Sequence, residues 1–201
     1  KAKMIFKLAN CPLCRAMKER KRFFKSGCGQ YASHPNQMWI MDEMFYDDWR
    51  ILVCIDSHSR KVCLQLQHVG SGLCTIDFLI KCRTVYGGFA ESIIFDANIG
   101  SESMKSFTEL LQIHTSPVGV RRWEKVAKND RVHGQVRNII ESLVTDKDLA
   151  KVIPHQDKSM TMAVEMAQIA LNERSLSGTN MSPELIHGCP IALNTSLLSS
   201  T

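Results

Sequence analysis

Residues 38–69 read MWIMDEMFYDDWRILVCIDSHSRKVCLQLQHV, and this stretch has the composition of three consecutive β-strands. Alternating or continuous apolar runs rich in Val, Ile and aromatic residues predict strands over residues 38–44, 50–56 and 61–69. Short polar segments suited to turns separate the three runs. Strands joined by such short turns pair antiparallel, so the stretch predicts a three-stranded meander.

The rest of the chain alternates between helical and strand patterns. We predict helices over residues 73–86, 102–113, 134–150 and 159–174, a strand over ESIIFD at residues 91–96, and another within VGVRRWEKVA at residues 118–127. The order is therefore three strands, helix, strand, helix, strand and two helices. This order predicts an α/β fold in which helices flank a mixed sheet.

The composition is that of a single main domain. With 201 residues, of which 44% are hydrophobic, the chain can bury one core of ordinary size. Its formal charge of +5 is compatible with nucleic acid but does not require it. No apolar run is long enough for a membrane span, and no signal peptide is evident. Several of the eight cysteines lie in apolar runs, so we expect them to be reduced, in an intracellular protein.

Two aspartates stand where predicted strands end. Asp42 lies in MWIMDEM and Asp96 closes ESIIFD. Carboxylates at the ends of adjacent strands can converge, and paired oxygen ligands are what Mg²⁺ requires. Two such ions would stabilise the attacking and leaving oxygens of a phosphoryl transfer. The alternative is that both aspartates cap turns.

Four motifs in the same order resemble the catalytic core of retroviral and retrotransposon integrases, which have a ribonuclease-H-like fold. They are Trp39 ahead of Asp42, Asp56 followed by Ser59-Arg60, a helix and strand ending in Asp96, and a closing series of Asn172, Thr179, Ser182-Pro183, Leu185 and Gly188. The resemblance covers about residues 5–190. It implies that Asp42 and Asp96 are the first two metal-binding carboxylates, with Mg²⁺ or Mn²⁺ as cofactor if the protein is active.

The third position of the implied triad departs from the family. Where integrases carry a Gly-Gln-Val-Glu-Arg-like turn, this chain reads Gly134-Gln-Val-Arg137-Asn, so Arg137 occupies the glutamate position. A guanidinium cannot bind a cation, because it is always charged and has no acceptor atom. We therefore expect Arg137 to form an ion-pair network with Asp42 and Asp96. The loop after Asp96 also differs, reading DANIGSES instead of Asp-Asn-Gly.

One residue is a candidate replacement for the missing glutamate. Glu141 lies one helical turn beyond Arg137 and on about the same face. The turn displaces it by roughly 5 Å, which is more than a metal shell tolerates. The alternative is that Glu141 is solvated or pairs with Arg137. The nearby carboxylates Glu43, Asp47, Asp48 and Asp56 are each expected to cap a turn.

The N-terminal segment carries a candidate zinc site. Cys11 and Cys14 have ligand spacing, and the resemblance implies that residues 1–30 are the end of a zinc-binding module followed by a basic linker. Three interpretations remain open. The module is truncated, Cys28 and His34 complete a different site, or no metal is bound.

Two basic clusters are candidate phosphate contacts. The first comprises Arg15, Lys18, Arg20, Lys21, Arg22 and Lys25, and the second Arg121, Arg122 and Lys125, followed by Lys128 and Arg131. The alternative is a solvated charged face.

The sequence thus predicts an integrase-like core over residues 31–176 and a C-terminal extension over residues 177–201. We expect a retroelement-derived domain that is catalytically inactive, located in the nucleus, homodimeric, and binding DNA or protein partners but no membrane. The alternative is an active retrotransposon integrase that performs Mg²⁺-dependent strand transfer. A pure dimerisation module is a third possibility.

Overall fold

The computed structural model describes residues 32–68, 75–96, 98–118, 123–145, 156–174 and 181–188. The elements, in chain order, are β1 (Met38–Tyr46), β2 (Trp49–Asp56), β3 (Val62–His68), α1 (Thr75–Tyr86), β4 (Ser92–Asp96), α2 (Glu102–Leu110), β5 (His114–Val118), α3 (Trp123–Val144), α4 (Gln156–Glu173) and α5 (Pro183–Gly188). The predicted order of strands and helices is confirmed, with α5 added. Of these described helices, none is both long and apolar enough to cross a membrane.

The five strands form one mixed sheet in the order β3-β2-β1-β4-β5. The β1, β2 and β3 strands are antiparallel, which confirms the predicted meander. The β4 strand pairs parallel with β1, and β5 pairs parallel with β4. Parallel neighbours present their carboxyl ends at the same edge of a sheet. The register that matches Met41 with Phe95 therefore places Asp42 and Asp96 side by side.

Each face of the sheet has its own hydrophobic core. Trp39, Met41 and Phe95 pack with α1 and α2 in the first core. Ile51 and Val53 pack with α3 and α4 in the second. The interior strand β2 contributes to both faces, which accounts for its continuous apolar sequence. Among the described cysteines, Cys54, Cys63 and Cys82 are free and buried.

The edge strand β3 is covered by side chains of α4. Asn172 Oδ1 accepts a hydrogen bond from Val62 N at 2.7 Å, and its Nδ2 donates to Val62 O at 2.8 Å. Gln168 Oε1 accepts from Leu64 N at 2.7 Å. Unpaired edge groups invite pairing with another chain, so these bonds close the edge. They also give Asn172, a residue of the closing motif, a structural role.

The predicted strand over residues 118–127 is wrong. The strand β5 lies earlier, at His114–Val118, and α3 begins at Trp123, well before the predicted residue 134. β5 is an edge strand whose described side chains are largely exposed, so its sequence, HTSPV, lacks an apolar alternation. Pro117 is tolerated there because an edge strand need not donate a hydrogen bond on its open side.

Candidate active site

Asp42 and Asp96 lie on adjacent parallel strands at the same level. Each follows a residue of the first core, Met41 in β1 and Phe95 in β4, and these two residues are register partners. Because side chains alternate along a strand, both aspartates point to the opposite face, where α3 packs. Their backbones are about 4.8 Å apart, the spacing of neighbouring strands. The two carboxylates therefore share one site beside the carboxyl end of β4. Asp42 itself lies in the middle of β1, whose pairing with β2 continues to Tyr46.

On α3, the side chain of His133 lies beside Asp42. Its Nε2 lies 3.6 Å from Asp42 Oδ2, and the side chains are only 18% and 13% exposed. Asp42 Oδ1 accepts a hydrogen bond from Glu43 N at 2.8 Å. His133 Nε2 is buried and makes no hydrogen bond. His133 is not among the site residues predicted from the sequence, although it directly precedes Gly134 of the integrase-like turn.

The protonation state of His133 follows from its burial. Desolvation lowers the imidazole pKa, since the charged form is disfavoured away from water, and the Arg137 charge lowers it further. The Asp42 and Asp130 carboxylates oppose this shift, but the net direction is downward. His133 thus tends to present a neutral ring to Asp42.

Arg137 does not form the expected network with the aspartates. Its Nη2 donates to the Phe45 carbonyl at 3.4 Å, and within the described residues no ion pair joins it to Asp42 or Asp96. The reason is geometric, because α3 runs along β1. His133 stands beside Asp42, and Arg137, one turn later, stands beside Phe45, which is about 10 Å further along the strand.

Glu141 lies further still from the aspartates. Burial raises the pKa of Tyr46, and the charges of Asp47 and Glu141 raise it too, whereas Arg137 lowers it. These effects place Glu141 near Tyr46, the last residue of β1. Eight residues of helix separate it from His133, a rise of about 12 Å. The geometry therefore favours the interpretation in which Glu141 neighbours Arg137 at the surface.

Glu43 is a third carboxylate near the site, and its predicted turn-capping role is wrong. It lies within β1, opposite Leu52, with its Oε2 3.5 Å from Arg50 Nε. Burial raises its pKa, Arg50 opposes this, and the charges of Asp96 and Asp42 add to the rise. Negative charge is thus concentrated around the middle of β1.

The described residues do not assemble the ligand set for two Mg²⁺ ions. No group of three or more His, Cys, Asp or Glu side chains in these ranges surrounds a common point. Two closely spaced Mg²⁺ ions require several oxygen ligands in near-octahedral arrangement. The side chains that the structure describes therefore do not by themselves supply the two-metal arrangement implied by the resemblance.

Asp56, the last residue of β2, has a structural role beside the start of β1. It is fully buried and accepts hydrogen bonds from Asn36 N at 2.8 Å, Ser59 N at 2.7 Å and Ser59 Oγ at 2.6 Å. His187 Nδ1 lies 3.8 Å from its Oδ2. The prediction that Asp56 caps a turn is confirmed, since the turn from β2 to β3 closes on its carboxylate.

The closing motif docks α5 against that turn. His187 lies with Nδ1 3.0 Å from Ser59 Oγ and Nε2 2.8 Å from Tyr86 O. Lys61 Nζ pairs with Glu184 Oε1 at 2.8 Å. This part of the predicted C-terminal extension therefore packs on the core.

The zinc and phosphate-binding predictions concern residues that lie almost entirely outside the described part of the chain. This applies to Cys11, Cys14, Cys28, the first basic cluster, Arg121 and Arg122, and only the backbone of Lys125 and Lys128 is described. His34 is described, with Nδ1 3.0 Å from Pro35 O and Nε2 3.4 Å from Glu91 Oε1. Both predictions stay predictions.

Solved structures with the same fold are catalytic cores of retroviral integrases. The magnesium-bound HTLV-2 integrase core, in its dimeric form, superposes with a TM-score of 0.60 at 18% identity, over 77% of this chain and 97% of that one. An integrase chain of the simian T-cell lymphotropic virus intasome, in complex with the B56γ subunit of PP2A, gives 0.67 at 15% identity, over 94% and 67%. The BIV integrase core gives 0.58 at 13% identity, over 76% and 93%.

No protein-family model matches the chain, and no curated protein is significantly similar to it in sequence. At identities this low, the structural likeness establishes the fold alone.

Proposed function

We propose that this chain, which has the fold of a retroviral integrase catalytic core, is a retroelement-derived domain that no longer performs strand transfer. It serves instead as a scaffold that binds DNA or protein. One observation carries the proposal. The resemblance assigns Arg137 to the position of the third carboxylate, and its guanidinium donates to Phe45 O instead of contributing a ligand.

The charge at the site supports the loss of two-metal chemistry. Asp42 and Asp96 supply two negative charges, against four positive charges on a pair of Mg²⁺ ions. The third ligand has been replaced by a cation, so the change removes one negative charge and adds one positive charge. Coulomb repulsion between Arg137 and a second ion would weaken binding further. The site then lacks both the ligands and the charge for a metal pair.

Binding to DNA draws its support from the basic residues. The chain carries 25 Lys and Arg against 20 Asp and Glu, and the two basic clusters have the composition of phosphate-contacting segments. A role in the nucleus would follow from this activity. The two basic clusters contact the phosphate backbone of DNA and do not distinguish one base sequence from another.

Self-association draws its support from the helices. The HTLV-2 core is described in dimeric and trimeric forms. In this chain, Ile80 of α1 and Ile169 of α4 are about half exposed, and each is a large apolar side chain on a helix surface. We propose that the scaffold is a homodimer joined through such helix faces, with other proteins as further partners.

A second function is favoured by the register of the two aspartates. Asp42 and Asp96 lie side by side where the parallel pairing of β1 with β4 ends, as two ligands of one site would. The alternative is therefore an active integrase that joins DNA by metal-assisted transesterification. In that case Glu141 or another donor would have to move into the site.

Retention of the full chain on DNA tests the scaffold function. We expect retention to weaken steeply with salt, because each phosphate contact releases a counterion. Exchanging Arg20, Lys21 and Arg22 for Gln should reduce both retention and its salt dependence. A matched variant that exchanges Lys81, Arg83 and Lys105 for Gln should leave them unchanged. If the chain is not retained on DNA even at low salt, the proposal that it binds DNA is contradicted. Sedimentation then tests whether the chain acts as a scaffold for protein.

A further inference from the structure

The His187 ring of α5 lies between two oxygen atoms that the core provides. Its Nε2 lies 2.8 Å from the carbonyl oxygen of Tyr86, and its Nδ1 lies 3.0 Å from Ser59 Oγ. Tyr86 is the last residue of α1, so its carbonyl is one of those that a helix end leaves without a partner inside the helix. A carbonyl oxygen can only accept a hydrogen bond, and Nε2 therefore carries a proton.

The hydroxyl of Ser59 determines what the other ring nitrogen must do. Its oxygen lies 2.6 Å from Asp56 Oδ2, the distance of a short hydrogen bond to a carboxylate, so the hydroxyl proton is directed to Asp56. The Lys61 amide donates to the same oxygen at 3.2 Å. The hydroxyl has no second proton to give to His187, and its remaining lone pair can only accept. Every group in this network has a partner only if Nδ1 donates as well.

We propose that α5 docks on the core through a doubly protonated His187, so that a pH-sensitive contact holds this helix and releases it when the ring loses its second proton. Asp56 Oδ2, 3.8 Å from Nδ1, supplies the opposite charge. The negative end of the α1 dipole faces Nε2 and favours a cation at the same place. A neutral ring would set a lone pair against the Ser59 oxygen. It would also remove a positive charge beside the fully buried carboxylate of Asp56.

Other titratable and charged residues belong to the elements packed around the ring. They are Asp56 of β2, His58, Arg60 and Lys61 of the turn after it, Tyr86 of α1, Glu173 and Arg174 of α4, and Glu184 of α5. Lys61 Nζ pairs with Glu184 Oε1 at 2.8 Å, so these two charges balance each other. The ring of His58 lies with Nδ1 3.1 Å from Ala32 O. Burial raises the pKa of the Tyr86 phenol, which therefore stays neutral.

The sign of the pH dependence follows from the proton count. Burial would raise the pKa of Asp56, but its hydrogen bonds lower it overall, so the carboxylate stays charged over about pH 5 to 8, where imidazoles titrate. Docking therefore takes up one proton at His187 and none at Asp56. Within this range the docked fraction of α5 is highest at low pH and falls as the pH rises. No described side chain of α5 belongs to either core, so the sheet remains folded when α5 is released.

The test measures the ring and the helix separately in the full chain. Nitrogen-15 NMR of the His187 ring, assigned with His187→Gln, should show both ring nitrogens protonated at about pH 7. Hydrogen exchange is followed at the Ile186 amide, which donates to Ser182 O within α5. A helix this short does not persist without its tertiary contacts, so protection of this amide reports docking. After correction for intrinsic exchange, protection should be at least about threefold lower at pH 8 than at pH 6.

Three variants distinguish a pH-sensitive contact from a purely structural one. His187→Gln removes the titrating group, so any remaining protection should no longer depend on pH. Glu184→Gln breaks the ion pair with Lys61 and should reduce protection by the same factor at both pH values, because that pair stays charged throughout. His114→Gln exchanges an exposed histidine of β5 and should change nothing.

Each measurement can overturn the inference. A single ring proton on His187 at about pH 7 would do so, since the docked ring would then be neutral. Protection of Ile186 that does not fall with pH in the unmodified chain would also do so. A fall that persists undiminished in His187→Gln would assign the pH dependence to another group.

Discussion

Asp56 is a carboxylate buried in its charged form, and its surroundings explain how that is possible. Burial alone would raise its pKa, but the His187 imidazole and hydrogen bonds from Ser59 and Asn36 lower it overall. A buried charge without such partners would cost several kcal/mol. The Asp-x-x-Ser-Arg motif is therefore a structural device that fixes the turn from β2 to β3 and the docking of α5.

Replacing Asp56 with Ala should destabilise the fold by about 3 kcal/mol near neutral pH, because His187 and Ser59 lose their partner. The folded pKa of Asp56 lies below its unfolded value of about 3.8. Its stabilising contribution is thus complete above that value and is lost as the pH falls through the folded pKa. Urea unfolding at several pH values measures this, with Asp48→Ala in an exposed turn as control. An equal loss at pH 7 and pH 2 would contradict the account.

His133 and Arg137 show that a residue's contacts with another element cannot be predicted from that residue alone. The sequence assigns Arg137 to the glutamate position by its match to a motif, and that assignment stays a prediction. The sequence did not identify His133, because which α3 residue meets Asp42 depends on how the helix lies along β1. The spacing of four residues between His133 and Arg137 was the available signal, as it places both on one helix face.

At the scale of elements, the α4 helix closes the open edge of the sheet. Asn172 satisfies both backbone groups of Val62, and Gln168 satisfies Leu64 N. These bonds can form only when α4 lies at one position along β3. They therefore fix the position of the helix and also protect the edge of the sheet.

Replacing Asn172 with Ala should destabilise the fold by about 2 kcal/mol, since it leaves a buried donor and acceptor unpaired. Hydrogen exchange at the Val62 amide should accelerate more than exchange in β1. The matched control is Glu165→Ala, on the exposed side of α4, which should change stability by less than about 0.5 kcal/mol. Unchanged exchange at Val62 in the Asn172 variant would show that the edge is held by other contacts.

The elements that the sequence predicted well are those buried on one or both faces. The β2 strand is an example, since its apolar run reflects a place at the centre of two cores. The β5 strand was misplaced because an exposed edge strand need not be apolar, and the pairing of Pro117 with Phe95 is a tertiary contact. The local sequence pattern therefore predicts which strands and helices are buried. The buried elements in turn indicate the fold.

At the scale of the whole molecule, the fold and the chemistry are separable. The sheet order and the helices on both faces give the fold that this chain shares with solved retroviral integrase cores. None of these features depends on the third carboxylate. A chain can therefore retain stability and surface while its catalytic ligands change, which is the basis of the proposed scaffold function.

The most direct test of this account is a strand-transfer assay of the full chain with Mg²⁺ or Mn²⁺, using a short DNA end and a plasmid target. We expect no joined product from the unmodified chain. Arg137→Gln removes the positive charge without adding a ligand and should not restore joining either. Metal-dependent joining by the unmodified chain that is abolished by Asp42→Asn would contradict the central claim and identify an active integrase.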